Sequence, residues 1–425
     1  MEKFKKILLL LLILVLPYHF QVISILLSGV GVLKLWKEMV IGVLFLITLY
    51  QLITGKKKFK ISTFEIMLVA FMAIIFIYVC FSHSMYHALY ISRIYFVPLL
   101  LVPIIKYTDI DKKEIAFVLK LVMINGIILC VWGVFQAHIL GDSFLIDMGY
   151  QTKRVHHGLR LKNEFYMLGG GYMQRVTSTF AAPNTYGMFL TIMISVVLFV
   201  YKKLGINKIF AYITIAVSLI TLVLTFSRTS WVACVAVFVL YFITNTDKTQ
   251  KMLVVKAGIV CVVVAVLYIV IDKSLIHTSV VNAFTTLLYN TFTGKDSSFL
   301  GHWNSWLDSI ENMFKHPLGL GLGKNGPRAK LFIDNPNLTE SSYFLMEYEV
   351  GIIGAIVYFG GYVRVIMDNV KTYRETKRNE ILIITAVVMV MLIGYLSLPF
   401  VQDFELLVMF YIVTSLQYNR CIQKD

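Results

Sequence analysis

The sequence predicts an all-α integral membrane protein with about twelve transmembrane helices and two long extracytoplasmic loops that contain short helices. The 425 residues are 58% hydrophobic and only 15% charged, which leaves too little polar side chain to cover a water-facing surface. Apolar runs recur along the chain, and basic residues fall on alternate sides of them. Helices are expected because a helix satisfies its own backbone where no water is present.

Twelve apolar runs predict the spans of a single polytopic domain, residues 1–425, and each run approaches the roughly 20 residues that a helix needs to cross hydrocarbon. The first resembles a signal peptide but continues without a small-residue cleavage site, so we interpret it as a retained helix. The runs are 7–33, 39–54, 65–81, 89–105, 115–135, 185–200, 209–226, 229–243, 253–271, 341–363, 381–398 and 405–418.

The basic residues predict the orientation of these spans. In a twelve-helix count, the N-terminus and the clusters at 56–60, 106–113, 202–208, 248–251, 364–378 and 420–424 all fall on one side. Short cytoplasmic loops retain Lys and Arg, so both termini are predicted to be cytoplasmic. The two long loops, 136–184 and 272–340, are then extracytoplasmic, and loops of this length are more often functional than idle.

Both outer loops are basic, which opposes the usual charge bias and favours an anionic ligand such as phosphate or an acidic glycan. Contact with lipid headgroups is the alternative for any single lysine. The basic residues are Lys153, Arg154, Arg160, Lys162 and Arg175 in the first loop, and Lys273, Lys295, Lys315, Lys324, Arg328 and Lys330 in the second.

Two short segments place arginines at predicted helix ends. Residues 175–187 lead into the sixth helix, where Pro183-Asn184-Thr185 indicates either a simple N-cap or, beside Arg175, an anion site. Residues 226–231 form a hairpin tip with almost no loop, which puts Arg228 at the outer membrane boundary. Such an arginine must snorkel or find a partner.

The second loop contains an apolar stripe and a spaced glycine run. The stripe predicts a short amphipathic helix that lies at the membrane interface or packs on the bundle. The glycines, Gly319, Gly321 and Gly323, lack the context of a nucleotide site and suit a turn that allows close backbone approach. The stripe consists of Trp303, Trp306, Leu307, Ile310, Met313 and Phe314.

Four segments together resemble the superfamily of O-antigen ligases and Wzy-type O-antigen or capsule polymerases, which are bacterial membrane glycosyltransferases. They are 175–187, 226–231, 301–323 with its His-Pro-Leu-Gly-Leu-Gly-Leu-Gly, and 340–354 ending in Glu-Val-Gly-Ile-Ile-Gly. The first five helices resemble it only as generic spans. The resemblance implies a GT-C-like architecture in the bacterial cytoplasmic membrane and a sugar substrate linked to undecaprenyl diphosphate. It also implies catalysis without nucleotide, metal or other cofactor.

The resemblance also implies roles for individual residues. Arg228 is the first choice for binding the diphosphate and Arg175 the second, because guanidinium pairs well with phosphate oxygens. Many relatives have Gly-Arg where this chain has Gly301-His302, so Arg328, Lys324 or a protonated His302 would substitute. The chain has Glu340 where ligases carry a histidine, which favours a polymerase and makes Glu340 a candidate base; a helix N-terminal glutamate favoured by the dipole is the alternative.

The sequence therefore predicts a polymerase of lipid-linked repeat units, with a ligase of the same superfamily and a transporter or flippase as alternatives. Charged sites at the midplane and repeated halves, which are typical of transporters, are not evident. The expected partners are the lipid-linked oligosaccharide and membrane lipids, with a separate chain-length regulator as a further candidate, and no nucleic acid. The six candidate side chains are expected to contribute to one composite site.

Overall fold

The computed structural model describes residues 1–26, 31–82, 84–155, 158–167, 173–245, 252, 293, 297–334, 336 and 339–419. Two compact units are formed. Unit 1 contains Met1–Leu11, Lys37–Asp111 and Gly301–Asp425, and unit 2 contains Leu12–Trp36 and Lys112–Leu300. The helices are α1 (Glu2–Val15), α2 (Trp36–Ile53), α3 (Thr63–Cys80), α4 (Met85–Leu99), α5 (Leu101–Lys106), α6 (Lys112–Phe135), α7 (Gly141–Asp147), α8 (Pro183–Val200), α9 (Lys208–Leu224), α10 (Arg228–Thr244), α11 (Ser297–Lys315), α12 (Ser342–Thr376), α13 (Leu382–Ser397) and α14 (Phe404–Thr414).

Unit 1 is built around α12, which packs against α3 and α13, while α14 packs against α4, α5 and α13. At one end of the unit, Ser62 caps α3 in a reciprocal capping box with Glu65. The Glu65 carboxylate also pairs with Lys106 Nζ at 2.5 Å, at the end of α5. A buried carboxylate is thereby satisfied twice, which ties the ends of α3 and α5 together.

Unit 2 is built around α8, which is surrounded by α6, α9 and α10. All but two of its 18 residues are buried. Its hydroxyl groups bond along the helix rather than to water: Thr191 Oγ1 donates to Gly187 O at 2.9 Å, and Ser195 Oγ donates to Thr191 O at 2.7 Å. A helix that carries polar side chains can therefore occupy the centre of an apolar bundle.

The first outer loop has a fold of its own. It contains α7 and a two-stranded antiparallel sheet, β1 (Thr152–Val155) and β2 (Gly158–Leu161), with Thr152 opposite Leu161 and Val155 opposite Gly158. A small core of five buried side chains lies beneath them: Leu145, Tyr150, Leu161, Phe165 and Tyr166. The sequence predicted helices in this loop, and the strands are an addition to that prediction.

The membrane helices agree with the predicted runs wherever the structure describes the chain. Eight helical stretches are long and apolar enough to cross a bilayer, and three shorter apolar helices lie at Lys208–Leu224, Arg228–Thr244 and Phe404–Tyr418. These coincide with all the predicted runs except the ninth, 253–271, which lies outside the described residues. The chain is thus a multi-pass membrane protein, whereas the number twelve and the orientation stay predictions.

Candidate functional site

In unit 2, Arg175 joins three segments of the chain. Its side chain is only 8% exposed. Nε donates to Thr225 O at 2.7 Å, Nη1 to Glu164 O at 2.9 Å and Nη2 to Asn184 Oδ1 at 2.5 Å. The helix start predicted at Pro183-Asn184-Thr185 is confirmed, since α8 begins at Pro183. It has no side-chain cap, and the Asn184 amide oxygen binds Arg175 instead.

The two arginine-bearing segments pack directly on each other. Val176 N donates to Leu224 O at 3.1 Å, just before the hairpin turns. Gly187 lies so close to Ser227 and Ser230 that a Cβ atom on it would stand 2.6 Å from Ser230 Oγ. The turn itself uses a non-glycine residue in the left-handed region, since Phe226 has φ 49°. Residues 175–187 and 226–231, which are separated by 38 residues in sequence, thus form one local structure.

The Arg228 guanidinium lies within electrostatic range of Arg175. Burial lowers the pKa of Arg175 to about 10, with the Glu164 charge opposing this effect and the Arg228 charge adding to it. Arg175 is therefore still protonated at neutral pH. Its three acceptors are neutral oxygens, so they solvate its charge without cancelling it. Arg228 is the first residue of α10 and is half-buried, as expected for a cation at the membrane boundary.

Replacing Arg175 by alanine is expected to lower the free energy of unfolding by about 3 kcal/mol, because it leaves buried acceptors without a donor. The thermal midpoint in detergent, followed by fluorescence size-exclusion chromatography, measures this. Arg154→Ala is the matched control, since Arg154 is exposed on β1 and its removal is expected to shift the midpoint little. An unchanged midpoint for Arg175→Ala would contradict the structural role and leave substrate binding as its main function.

In unit 1, helix α12 is interrupted at Gly351, which has φ 70° and ψ 175°. In an unbroken helix Ile352 N would donate to Tyr348 O. Here both groups bond instead to the loop that precedes α12. Ile352 N donates to Pro317 O at 3.0 Å, and Leu320 N donates to Tyr348 O at 2.6 Å. The hydrogen bond lost at the break is replaced by two bonds to the glycine-rich segment, as a membrane helix requires.

The spaced glycines make this insertion possible. Gly319, Gly321 and Gly323 all have positive φ values, of 72°, 98° and 79°. Gly319 and Gly351 face each other backbone to backbone, and a Cβ on Gly319 would lie 2.7 Å from Gly351 N. The sequence predicted a turn for close backbone approach to a ligand; the approach that the structure shows is to α12.

Glu349 also holds the glycine-rich segment in place, through a hydrogen bond from Gly323. Its fully buried carboxylate accepts hydrogen bonds from Gly323 N at 3.1 Å and Gln402 Nε2 at 3.2 Å, and it also accepts from the Tyr95 hydroxyl. Gln402 Oε1 in turn accepts from Arg328 N at 3.3 Å. One carboxylate thus connects α4, α12, the segment before α14 and the loop that carries Lys324 and Arg328.

Two predicted site residues of unit 1, Lys324 and Arg328, lie in the loop that Glu349 and Gln402 hold. Lys324 and Glu340 are exposed and Arg328 is half-buried. Glu340 immediately precedes Ser341, whose side chain caps α12 by accepting from Tyr343 N. His302 lies in α11, and the position of its side chain is outside what the structure describes. The proposed roles of all six side chains stay predictions.

Two carboxylates, Glu347 and Glu349, were not predicted as site residues from the sequence. Both are buried within α12. The available signal was the cost of a carboxylate inside an apolar run, which marks such a residue for a specific role.

The amphipathic helix in the second loop is confirmed as α11, but the side chains of its apolar stripe differ in exposure. Trp303, Leu307, Ile310 and Phe314 are 40–74% exposed, whereas Ser309 is buried. The polar side of the helix thus contributes to the contact with the protein, and most of the stripe faces outward, as the membrane-interface interpretation predicts.

Comparison with known proteins shows what the chain is similar to. Residues 213–359 match the family model described as O-antigen ligase. The O-antigen polymerase of Salmonella muenchen is 24% identical over 224 residues, which cover 52% of this chain. The resemblance to the O-antigen ligase and Wzy-type polymerase superfamily is confirmed.

The match to this superfamily includes the hairpin tip, the glycine-rich segment and the start of α12, and it leaves out residues 175–187. The chain spans about half the length of the curated relative that it matches, 52%. The superfamily match therefore contains both the Arg228 turn and the broken helix.

Proposed function

We propose that this protein polymerises oligosaccharide repeat units linked to undecaprenyl diphosphate, at the outer face of the bacterial cytoplasmic membrane. The observation that carries the proposal is the arginine-bearing turn of residues 226–231, held on residues 175–187 inside a chain of the ligase and polymerase superfamily. The relative named O-antigen polymerase supports polymerisation over ligation. Glu340, where ligases carry a histidine, supports it as well.

The reaction needs a cation for the leaving group and a base for the acceptor. The acceptor hydroxyl oxygen bonds to the anomeric carbon of the donor while the bond from that carbon to the diphosphate oxygen breaks. Undecaprenyl diphosphate leaves with the bonding electrons, and the hydroxyl proton goes to the base. Arg228 neutralises the leaving diphosphate, with Arg328 and Lys324 as further cations, and Glu340 takes the proton. His302 is the other catalytic candidate.

Arg175 supports this role by its charge as well as by its position. Two like charges close together repel each other, and a bound anion relieves that repulsion. A phosphate at the turn would also meet the first backbone N–H groups of α10, which favour an anion. The basic composition of the two outer loops agrees with such a substrate.

Purified protein in detergent is expected to elongate lipid-linked repeat units, with a ladder of products on a gel as the measurement. Because no membrane separates two compartments in detergent, elongation would exclude transport as the whole function. A protein that binds the repeat unit without elongating it, in the presence of both donor and acceptor, would contradict the proposal.

A ligase is the second candidate, favoured by the description of the matching family model. Deletion of the gene distinguishes the two. Loss of a polymerase leaves single repeat units on the carrier, whereas loss of a ligase leaves long polymer on it.

A further inference from the structure

Glu347 of α12 is a buried carboxylate that lacks hydrogen-bond partners, whereas the other buried carboxylates among the described residues have them. Three carboxylates are buried among the described residues: Glu65, Glu347 and Glu349, which are 8%, 4% and 0% exposed. Glu65 pairs with Lys106, and Glu349 accepts three hydrogen bonds. Both oxygens of Glu347 are buried and have no hydrogen-bond partner in the part of the chain that the structure describes. Burying such a group without compensation is costly, so an explanation is required.

Further polar groups lie near Glu347. The Tyr348 hydroxyl lies within hydrogen-bonding reach of Ser309 and Asn312 of α11. The Trp306 indole N–H is buried and makes no hydrogen bond within the described residues. Trp306 is one helical turn before Ser309 and therefore shares its face of α11. Glu347 itself lies within electrostatic range of the Tyr348 and Tyr78 hydroxyls.

The chemistry of these groups indicates the class of ligand. A carboxylate accepts hydrogen bonds, an indole donates one, and a phenol does both. Such a set repels a diphosphate, and its buried polar groups would stay unsatisfied against an isoprenoid chain. It complements a neutral ligand that is rich in hydroxyls, and sugars fit this description.

The position of Glu347 is set rigidly. Its backbone lies against the glycine-rich segment, since a Cβ on Gly319 would stand 2.9 Å from Glu347 O. Two residues later in the same turn of α12, Glu349 accepts a hydrogen bond from Gly323 N of that segment. The backbone of Glu347 is thus already ordered before a ligand binds, which favours binding.

We infer that Glu347, together with the Tyr348 hydroxyl and the Trp306 indole, forms a carbohydrate subsite that binds sugar hydroxyls of the repeat unit. The inference rests on the proposed function, and it adds a binding role separate from the diphosphate cations and from the base. The unpartnered carboxylate is retained despite its cost because the bound sugar supplies the missing donors.

Substitution of Glu347 separates a binding role from a structural one. Without substrate, Glu347→Leu is expected to raise the thermal midpoint by roughly 2–4 °C, since it removes an unpaired buried carboxylate. Glu349→Leu, the matched control, is expected to lower the midpoint because three donors lose their acceptor. A lowered midpoint for Glu347→Leu would overturn the inference, since it would show that the side chain stabilises the free protein.

Kinetics and binding complete the test. With purified lipid-linked repeat unit as the probe, Glu347→Gln is expected to raise KM about tenfold, because the amide reverses one hydrogen bond. An unchanged KM beside an active wild-type protein overturns the subsite alone. If the wild-type protein does not elongate, the polymerase proposal fails, and the subsite is then tested with delipidated repeat-unit oligosaccharide. This ligand should raise the midpoint of the wild type but not of Glu347→Gln, and equal shifts would overturn the inference.

Discussion

Cells that carry Arg228→Ala as the only copy are expected to accumulate single repeat units on the lipid carrier and to make no long polymer. The variant removes the guanidinium at the start of α10, where the proposed leaving group bears its charge. Loss of one charge-assisted contact that strengthens in the transition state costs about 3 kcal/mol, so the rate should fall by a factor on the order of 100. Gel analysis of lipid-linked products measures the outcome in cells, and elongation in detergent measures it with purified protein.

Two further variants serve as comparisons for Arg228→Ala. Arg228→Lys keeps the charge but loses the planar fork of donors, so it should retain roughly a tenth of the activity. Arg364→Ala removes a half-exposed cation of α12, paired with Asp368 at 3.0 Å, and is expected to polymerise normally. Long polymer at normal levels from Arg228→Ala, with the protein present in the membrane, would remove Arg228 from the mechanism.

Gly319→Ala is expected to destabilise unit 1 more than any other single methyl group added to the glycine-rich segment. The new Cβ would lie within 2.9 Å of three backbone atoms: Gly351 N, Tyr348 O and Glu347 O. None of these belongs to a flexible side chain that can move aside. Left-handed strain adds about 1 kcal/mol, and forced displacement of the backbone adds about 2 kcal/mol or more. The thermal midpoint in detergent should fall accordingly, and elongation should be lost with it.

Gly321→Ala is the matched control, because it carries the same strain without the collision. Gly321 has φ 98°, and nothing lies within 4 Å of a Cβ built on it. Its midpoint should fall only by the strain contribution of about 1 kcal/mol. Equal losses for the two variants would show that strain alone decides stability here, and would contradict the insertion of the segment into α12.

The sequence predicted the helices well because each apolar run carries its own reason to be a helix in a membrane. It also located the four segments that the structure assembles. What it did not predict was the pairing: 175–187 with 226–231, and 316–323 with the break at Gly351. Neither pairing is signalled by local periodicity, because the contacts join backbone groups distant in sequence. Glycine is also common in apolar runs, so Gly351 by itself does not predict a break in the helix.

The carboxylates show a second limit of sequence reasoning. Glu347 and Glu349 differ by two positions in the same helix, and nothing in the residues themselves indicates that one is saturated with donors and the other has none. That difference depends on Tyr95, Gly323 and Gln402, which come from three other parts of the chain. Arg175 is a similar case. Its positive charge suggested that it binds phosphate, whereas its three hydrogen bonds also give it a structural role, because they join three segments of the chain.

The exchange of hydrogen bonds at Gly351 means that the bend in α12 does not belong to that helix alone. A synthetic peptide covering residues 342–376 in lipid micelles would have no Pro317 carbonyl and no Leu320 amide to bind its free groups. Its most stable form is then an uninterrupted helix, in which Ile352 N returns to Tyr348 O. The shape of the span is thus encoded partly by residues that lie outside it. Grafting α12 into another scaffold without residues 316–323 would transfer its sequence but not its bend.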